Sequence, residues 1–228
     1  MLDGQTPKWI DRLERLMPGL GIPNLALFLV GIQGIGFLVV SANSRAVWWL
    51  ILDPYLVLHG ELWRLITFLA VPVTGNLLSM VFVLWFLYFI INALEGEWGE
   101  FRTTLYILTA VILTIAFAFA VGIGIGDVSP LHSTLLFAAA TIAPDFQILL
   151  FGVIPFKLKW SAWIAAAVLA YGCMNARWPF LLYGPVMCAN YLLFFGPYFY
   201  SRLKAFYRRR KFQHDVAAGS RIEDDPGE

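Results

Sequence analysis

The run Pro130-Leu131-His132-Ser133-Thr134-Leu135-Leu136-Phe137-Ala138-Ala139-Ala140-Thr141-Ile142-Ala143, closed by Pro144-Asp145, is apolar, helix-forming and short. A helix rises about 1.5 Å per residue, so crossing a hydrocarbon layer of about 30 Å takes roughly 20 residues. This run cannot cross simply. Its outer end is expected below the bilayer surface, where the loop Gly122-Ile123-Gly124-Ile125-Gly126-Asp127-Val128-Ser129 dips in to meet it. Non-helical backbone at that depth is tolerated only where protein or water covers it. Ser133 is thereby placed at a recessed, protein-lined helix start, where an intramembrane active site can be built.

Composition agrees with that setting. Hydrophobic residues make up 60% of the chain and charged ones 14%, more apolar surface than a soluble domain of this size can hide. The sequence predicts an all-α membrane protein. A net charge of +1 gives no electrostatic reason to bind nucleic acid. Cys173 and Cys188 both fall in predicted spans, where two thiols read as small core residues or as a disulfide or metal pair. Neither a cofactor nor a metal is expected.

Around the short run the chain divides into three parts: an amphipathic segment over 1–22, a six-span domain over 23–201, and a basic, then disordered, tail over 202–228. Trp9, Ile10, Leu13, Leu16 and Met17 alternate with Lys8, Asp11, Arg12, Glu14 and Arg15, which predicts a short helix lying on the membrane surface. Met1 to Met17 is too polar for a cleavable signal peptide. The first span is Pro23 to Ser41, with Gly31, Gly34 and Gly36 offering a strip for a neighbouring helix. Asn43 to Arg64 mixes Trp48, Trp49, Asp53, His59 and Trp63, which predicts half-buried interfacial helices, and Leu65 to Val73 is apolar but broken by Pro72.

The second span is Leu77 to Leu94, closed by Glu95 to Arg102, and the third is Thr104 to Val121. The fourth is the short run. Phe146 to Ile154 is placed at the inner interface, with a re-entrant element as the alternative. The fifth span is Ser161 to Tyr171, fraying to Asn175. Arg177-Trp178-Pro179 turns the chain into the sixth, Phe180 to Tyr200. Lys8, Arg12, Arg15, Arg102, Lys157, Lys159 and the cluster Arg208 to Lys211 then share one side, against Arg45, Arg64 and Arg177 opposite. By the positive-inside rule both termini are cytoplasmic, as in a bacterial inner membrane or its equivalent, and Ser133 opens outward.

Six spans, a long first loop carrying Gly60-Glu61-Leu62-Trp63-Arg64-Leu65-Ile66-Thr67, and a short serine-bearing fourth span together resemble the rhomboid superfamily, including its derlin branch. Glu61, Trp63 and Arg64 look like the first-loop signature of that family. Glu95 and Gly99 look like its acidic closure of the second span, and Ser133 stands where its nucleophile would. The resemblance implies an intramembrane serine protease fold and requires a Ser-His dyad for activity.

Residue by residue, that machinery is degenerate. Leu131-His132-Ser133-Thr134 replaces the family's Gly-x-Ser-Gly, crowding the site. The chain has three histidines, His59, His132 and His214, none of them in the sixth span, where the base position falls on Asn190. An amide does not exchange a proton near neutral pH, so the hydroxyl lacks its activator. The oxyanion positions fall on Ser79 and Val83; loss of one such donor typically costs about 10²- to 10³-fold in rate.

The leading expectation is therefore a pseudoprotease with no catalytic residues. It would sit in the lipid bilayer and bind transmembrane client helices through a lateral opening near the second and fifth spans. Client polar groups would meet Asn190, Ser133 or Asn175, although Asn190 can equally bond a neighbouring helix. The alternatives are a divergent protease using Ser133 with His132 or His59, and a small transporter or channel. Against the last, no span carries a buried charge and no inverted repeat is evident. Trp63-Arg64 reads either as an interfacial anchor or as a tie from the Arg64 guanidinium to first-loop carbonyls.

Overall fold

A computed structural model describes residues 8–144, 147–150, 154–175 and 180–223, with the backbone alone described at 147–150, 154–156 and 210–223. It is almost entirely helical. Among the described residues four helical stretches are long and apolar enough to cross a membrane: α2 (Leu25–Ala42), α6 (Leu77–Trp98), α7 (Glu100–Val121) and Phe180–Arg209, which includes the first part of α10 (Tyr183–Glu223). Many of their large apolar side chains point outward, among them Leu27, Phe28 and Leu38 on α2 and Leu77, Leu78 and Val81 on α6. In water these would form apolar patches far larger than a soluble monomer carries.

The short elements fill the spaces between. α1 spans Lys8–Leu16, and the first loop folds into α3 (Val47–Leu50), α4 (Pro54–Leu58) and α5 (Arg64–Thr67), followed by a 3-10 turn at Phe68–Ala70. α8 covers Ser129–Ile142, fourteen residues, as its length in sequence requires. α9 covers Leu158–Asn175. It falls outside the four because its ends carry Lys159 and Asn175.

Two apolar clusters hold the bundle. One gathers Ile10 of α1, Leu94 and Trp98 of α6, Tyr106 of α7, Leu135 of α8, and Phe194 and Phe195 of α10. The other joins Leu52 and Phe68 of the first loop to Phe117 of α7, Ile125, and Tyr183 and Met187 of α10. The start of α2, the α6–α7 junction and α1 thus meet at one end of the bundle, and the first loop closes the other.

Several expectations from sequence need completion or correction. α1 forms as expected and also packs on the bundle: Ile10 is fully buried, Trp9 meets Phe194 edge to face at 5.4 Å, and Arg102 pairs with Asp11 and Glu14 at 3.3 Å each, while Leu16 stays exposed. Of the glycine strip, Gly36 makes the tight approach, and to the Ala70 carbonyl of the first loop, where a methyl group would clash; Gly34 has ordinary contact with Leu84 of α6, and Gly31 faces open space. The apolar segment after α8 forms two strands, β1 (Gln147–Leu150) and β2 (Ile154–Lys157), paired antiparallel with Gln147 opposite Lys157. Pairing satisfies backbone groups that a short extended segment would otherwise leave open. α10 continues as helix through the basic cluster to Glu223, so the tail expected to be disordered from Asp215 is helical over most of its length. The turn expected at Arg177-Trp178-Pro179 lies outside the described residues.

Candidate functional site

The helix that carries Ser133 begins where a loop has to be covered. Ile125 exchanges both backbone hydrogen bonds with Leu52 of the first loop, at 2.8 and 3.0 Å, and both residues are buried. That bridge gives the buried backbone groups of both residues their partners. Gly126 lets Ile51 lie against the same loop, since a Cβ there would stand 3.0 Å from Ile51 Cγ1. Asp127 Oδ1 accepts from the Ser129 amide at 2.9 Å and sets the first turn of α8.

The first loop keeps its shape through Arg64. Its side chain is 5% exposed; Nη1 donates to the Trp48 and Ile51 carbonyls at 2.7 and 2.8 Å, and Nε donates to Glu61 at 2.6 Å. Two carbonyls at the end of a four-residue helix cannot be paired within the helix, and a buried guanidinium needs a carboxylate. Trp63 is half exposed.

Ser133 lies one turn into α8. Its hydroxyl donates to the Ser129 carbonyl at 3.0 Å, the local bond that serines in helices commonly make. His132 turns toward α2, where Gln33 Nε2 lies 3.1 Å from His132 Nε2. An amide nitrogen can only donate, so that ring nitrogen accepts. His59 Nδ1 is 2.7 Å from the Tyr55 carbonyl on the first loop. Among the described side chains, no histidine nitrogen is hydrogen-bonded to Ser133.

Two cavities flank the serine. One, of about 300 Å³, lies between α6, α8 and α9 and is walled by Val83, Phe86, His132, Ser133, Ala165 and Val168. The other, of about 320 Å³, lies between α8, α9 and the start of α10 and is lined by Asp127, Ser133, Cys173, Tyr183 and Gly184. Ser129, Ser133 and Val168 border both. The walls are mostly apolar, and Val168 is 65% exposed at the mouth.

The remaining sequence-derived positions are spread out. Asn190 is fully buried, and its Nδ2 donates to the Tyr106 carbonyl at 3.3 Å; it lines neither cavity. Tyr106 OH in turn donates to the Thr134 carbonyl at 2.8 Å, on the side of α8 facing α7 and α10. Asn190 therefore ties α10 to α7, the helix-to-helix bond that its sequence position also allowed, and Asn175 bonds the Tyr171 carbonyl on the exposed end of α9. Val83 borders the first cavity, whereas Ser79 is exposed at the first turn of α6, where its amide donates to Asn76 Oδ1. The Glu95 carboxylate, in the last turn of α6, lies beside the start of α2 at Leu25 and Ala26, where a helix favours negative charge. Gly99 is the whole connection between α6 and α7, with φ 86 and ψ 159.

Sequence reading missed Gln33 and Tyr106. A lone glutamine in the otherwise apolar or glycine run Leu25 to Val40 was the available signal, because an amide in a span must find a partner. Nothing in the pattern around Tyr106 marked it. The fold and site define a helical chain with four helices able to cross a membrane and a recessed serine between two apolar cavities. No family model, curated protein or solved structure matches the chain.

Proposed function

We propose that this chain is a six-span, rhomboid-like membrane protein without a working Ser-His dyad, which receives transmembrane client helices and does not cut them. The observation that carries the reading is the state of Ser133: its hydroxyl is bound to the carbonyl one turn back, and the neighbouring imidazole is bound to Gln33. A serine without a positioned base is a poor nucleophile. On this reading α8 and α9 supply the remaining two spans, both termini are cytoplasmic, as in a bacterial inner membrane or its equivalent, and the Ser133 cavities open toward the outer leaflet.

The crevice between α6 and α9 is the entry. Among the residues of α9, Leu158 is buried, while Trp163, Ile164, Val168, Tyr171 and Met174 are exposed. α9 packs on α8 and hardly touches α6, which leaves the crevice between α6 and α9 open. A client helix would replace lipid against the apolar walls and offer a hydroxyl or amide to Ser129 or Ser133. Such interhelical bonds contribute about 0.6–2 kcal/mol in a membrane.

Two measurements on the full chain in native membranes test this. A photo-crosslinking residue at Val168 is expected to capture single-span proteins more than the same residue at lipid-facing Ile35. A fluorophosphonate is expected to leave Ser133 unlabelled beside an active serine hydrolase. Labelling that Ser133→Ala abolishes would establish the divergent protease, and equal capture from both positions would remove the client reading.

A further inference from the structure

α10 leaves the bundle as an unbroken helix. Its apolar part belongs to the stretch Phe180–Arg209, and the helix runs on to Glu223. Arg202, Lys204, Arg208, Arg209, Arg210 and Lys211 follow within about three turns, and no acidic residue occurs from Tyr198 to His214. At about 100° per residue, Arg202 and Arg209 lie on one face while Lys204 and Arg208 lie on the opposite one. The charges form a collar, not a stripe.

The collar is open to ligands. Arg202, Lys204, Arg208 and Arg209 are exposed and form no ion pair with a described carboxylate, in contrast to Arg64 and Arg102. Aromatic and aliphatic side chains are interleaved with them: Tyr200, Leu203, Phe206 and Tyr207 are each more than half exposed. Arg202 lies over the Tyr198 ring, its Cζ 5.2 Å from the centroid. Phe199, Arg202, Phe206 and Arg209 border one shallow recess of about 690 Å³ along the helix.

We infer that this collar binds the headgroups of anionic phospholipids in the leaflet where α10 emerges. Cations emerging directly from a span stand at headgroup depth, and aromatic rings there prefer the boundary between acyl chains and headgroups. Arginines present paired N–H donors that match phosphate oxygens, and a collar reaches lipids on every side of the helix. Nucleic acid fits less well, because half-exposed Phe206 and Leu203 would be left in water beside it. The inference is independent of the client reading and requires only that α10 cross the bilayer.

The experiment uses the full chain in phosphatidylcholine vesicles containing traces of spin-labelled phosphatidylglycerol or spin-labelled phosphatidylcholine, and reads the protein-immobilised fraction of each probe. The phosphatidylglycerol probe is expected to be preferred, with the preference falling at least about fivefold, the effect of a single surface cation, in Arg208→Gln/Arg209→Gln. Arg208→Lys/Arg209→Lys is expected to keep most of it. Equal immobilisation of both probes by the native chain overturns the inference, as does a preference that the glutamine variant retains or that a short DNA duplex abolishes. Should the glutamine variant fail to reconstitute, the native chain in about 1 M salt decides, because a screening length of about 3 Å must erase a charge-based preference.

Discussion

Arg64 shows how much one side chain can organise. Its guanidinium binds the carbonyls of Trp48 and Ile51 and the carboxylate of Glu61, so three parts of the first loop converge on a single planar group. Arg64→Lys keeps the charge and loses the fork. The expected cost is about 1–3 kcal/mol, from a buried carbonyl or carboxylate left without its donor. Thermal unfolding in mild detergent measures it, and an unchanged midpoint would mean that the residue acts only as an interfacial anchor. Trp63-Arg64 was conspicuous in sequence because the run Gly60 to Thr67 is similar to a known first-loop signature. The carbonyls it meets were not, since they lie 13 and 16 residues away and come close only through the turn after α3.

Among the elements, α1 is the one whose setting sequence could not supply. Its alternating pattern announced a helix with an apolar face, but such a face is compatible with lipid or with protein. The choice rests on Phe194, Trp98 and Phe101 gathering into one cluster with Ile10. Two forces hold the helix there, and magnitude separates them. The pairs from Arg102 to Asp11 and Glu14 leave both carboxylates over 40% exposed, and such pairs contribute roughly 0–1 kcal/mol. Trp9→Ala removes an aromatic contact and buried area, and by comparison with core truncations is expected to cost about 3 kcal/mol. Limited proteolysis of α1 should therefore accelerate far more in Trp9→Ala than in Arg102→Gln. The reverse order would make charge the main restraint.

On the scale of the whole molecule, the shortness of α8 shapes the bundle. Because the helix is fourteen residues long, the loop before it is drawn inward and the first loop has to cover it, and Ser133 ends up between two cavities. The shortness of α8 was legible from residue counting alone, as were the limits of α2 and α7 to within a few residues, whereas the cover by the first loop and the two cavities come from the packing. The β1–β2 pair and the continuation of α10 were not, since short apolar segments suit strand or helix and polar tails carry no period that fixes their state. Filling the cavity mouth gives a global test. Val168→Trp stands at an exposed position and should leave unfolding in detergent nearly unchanged, while reducing capture of client helices at Ala165. Undiminished capture would place the entry elsewhere.

Gly99 has a bearing on how the protein is made. One residue at φ 86 joins the two apolar helices α6 and α7, each 22 residues long, and no other residue lies between them. Such a reversal leaves no slack for either helix to enter the bilayer ahead of its neighbour and await it. On the six-span reading the two are expected to leave the insertion machinery as a ready-formed pair, an order of assembly set by a single achiral residue.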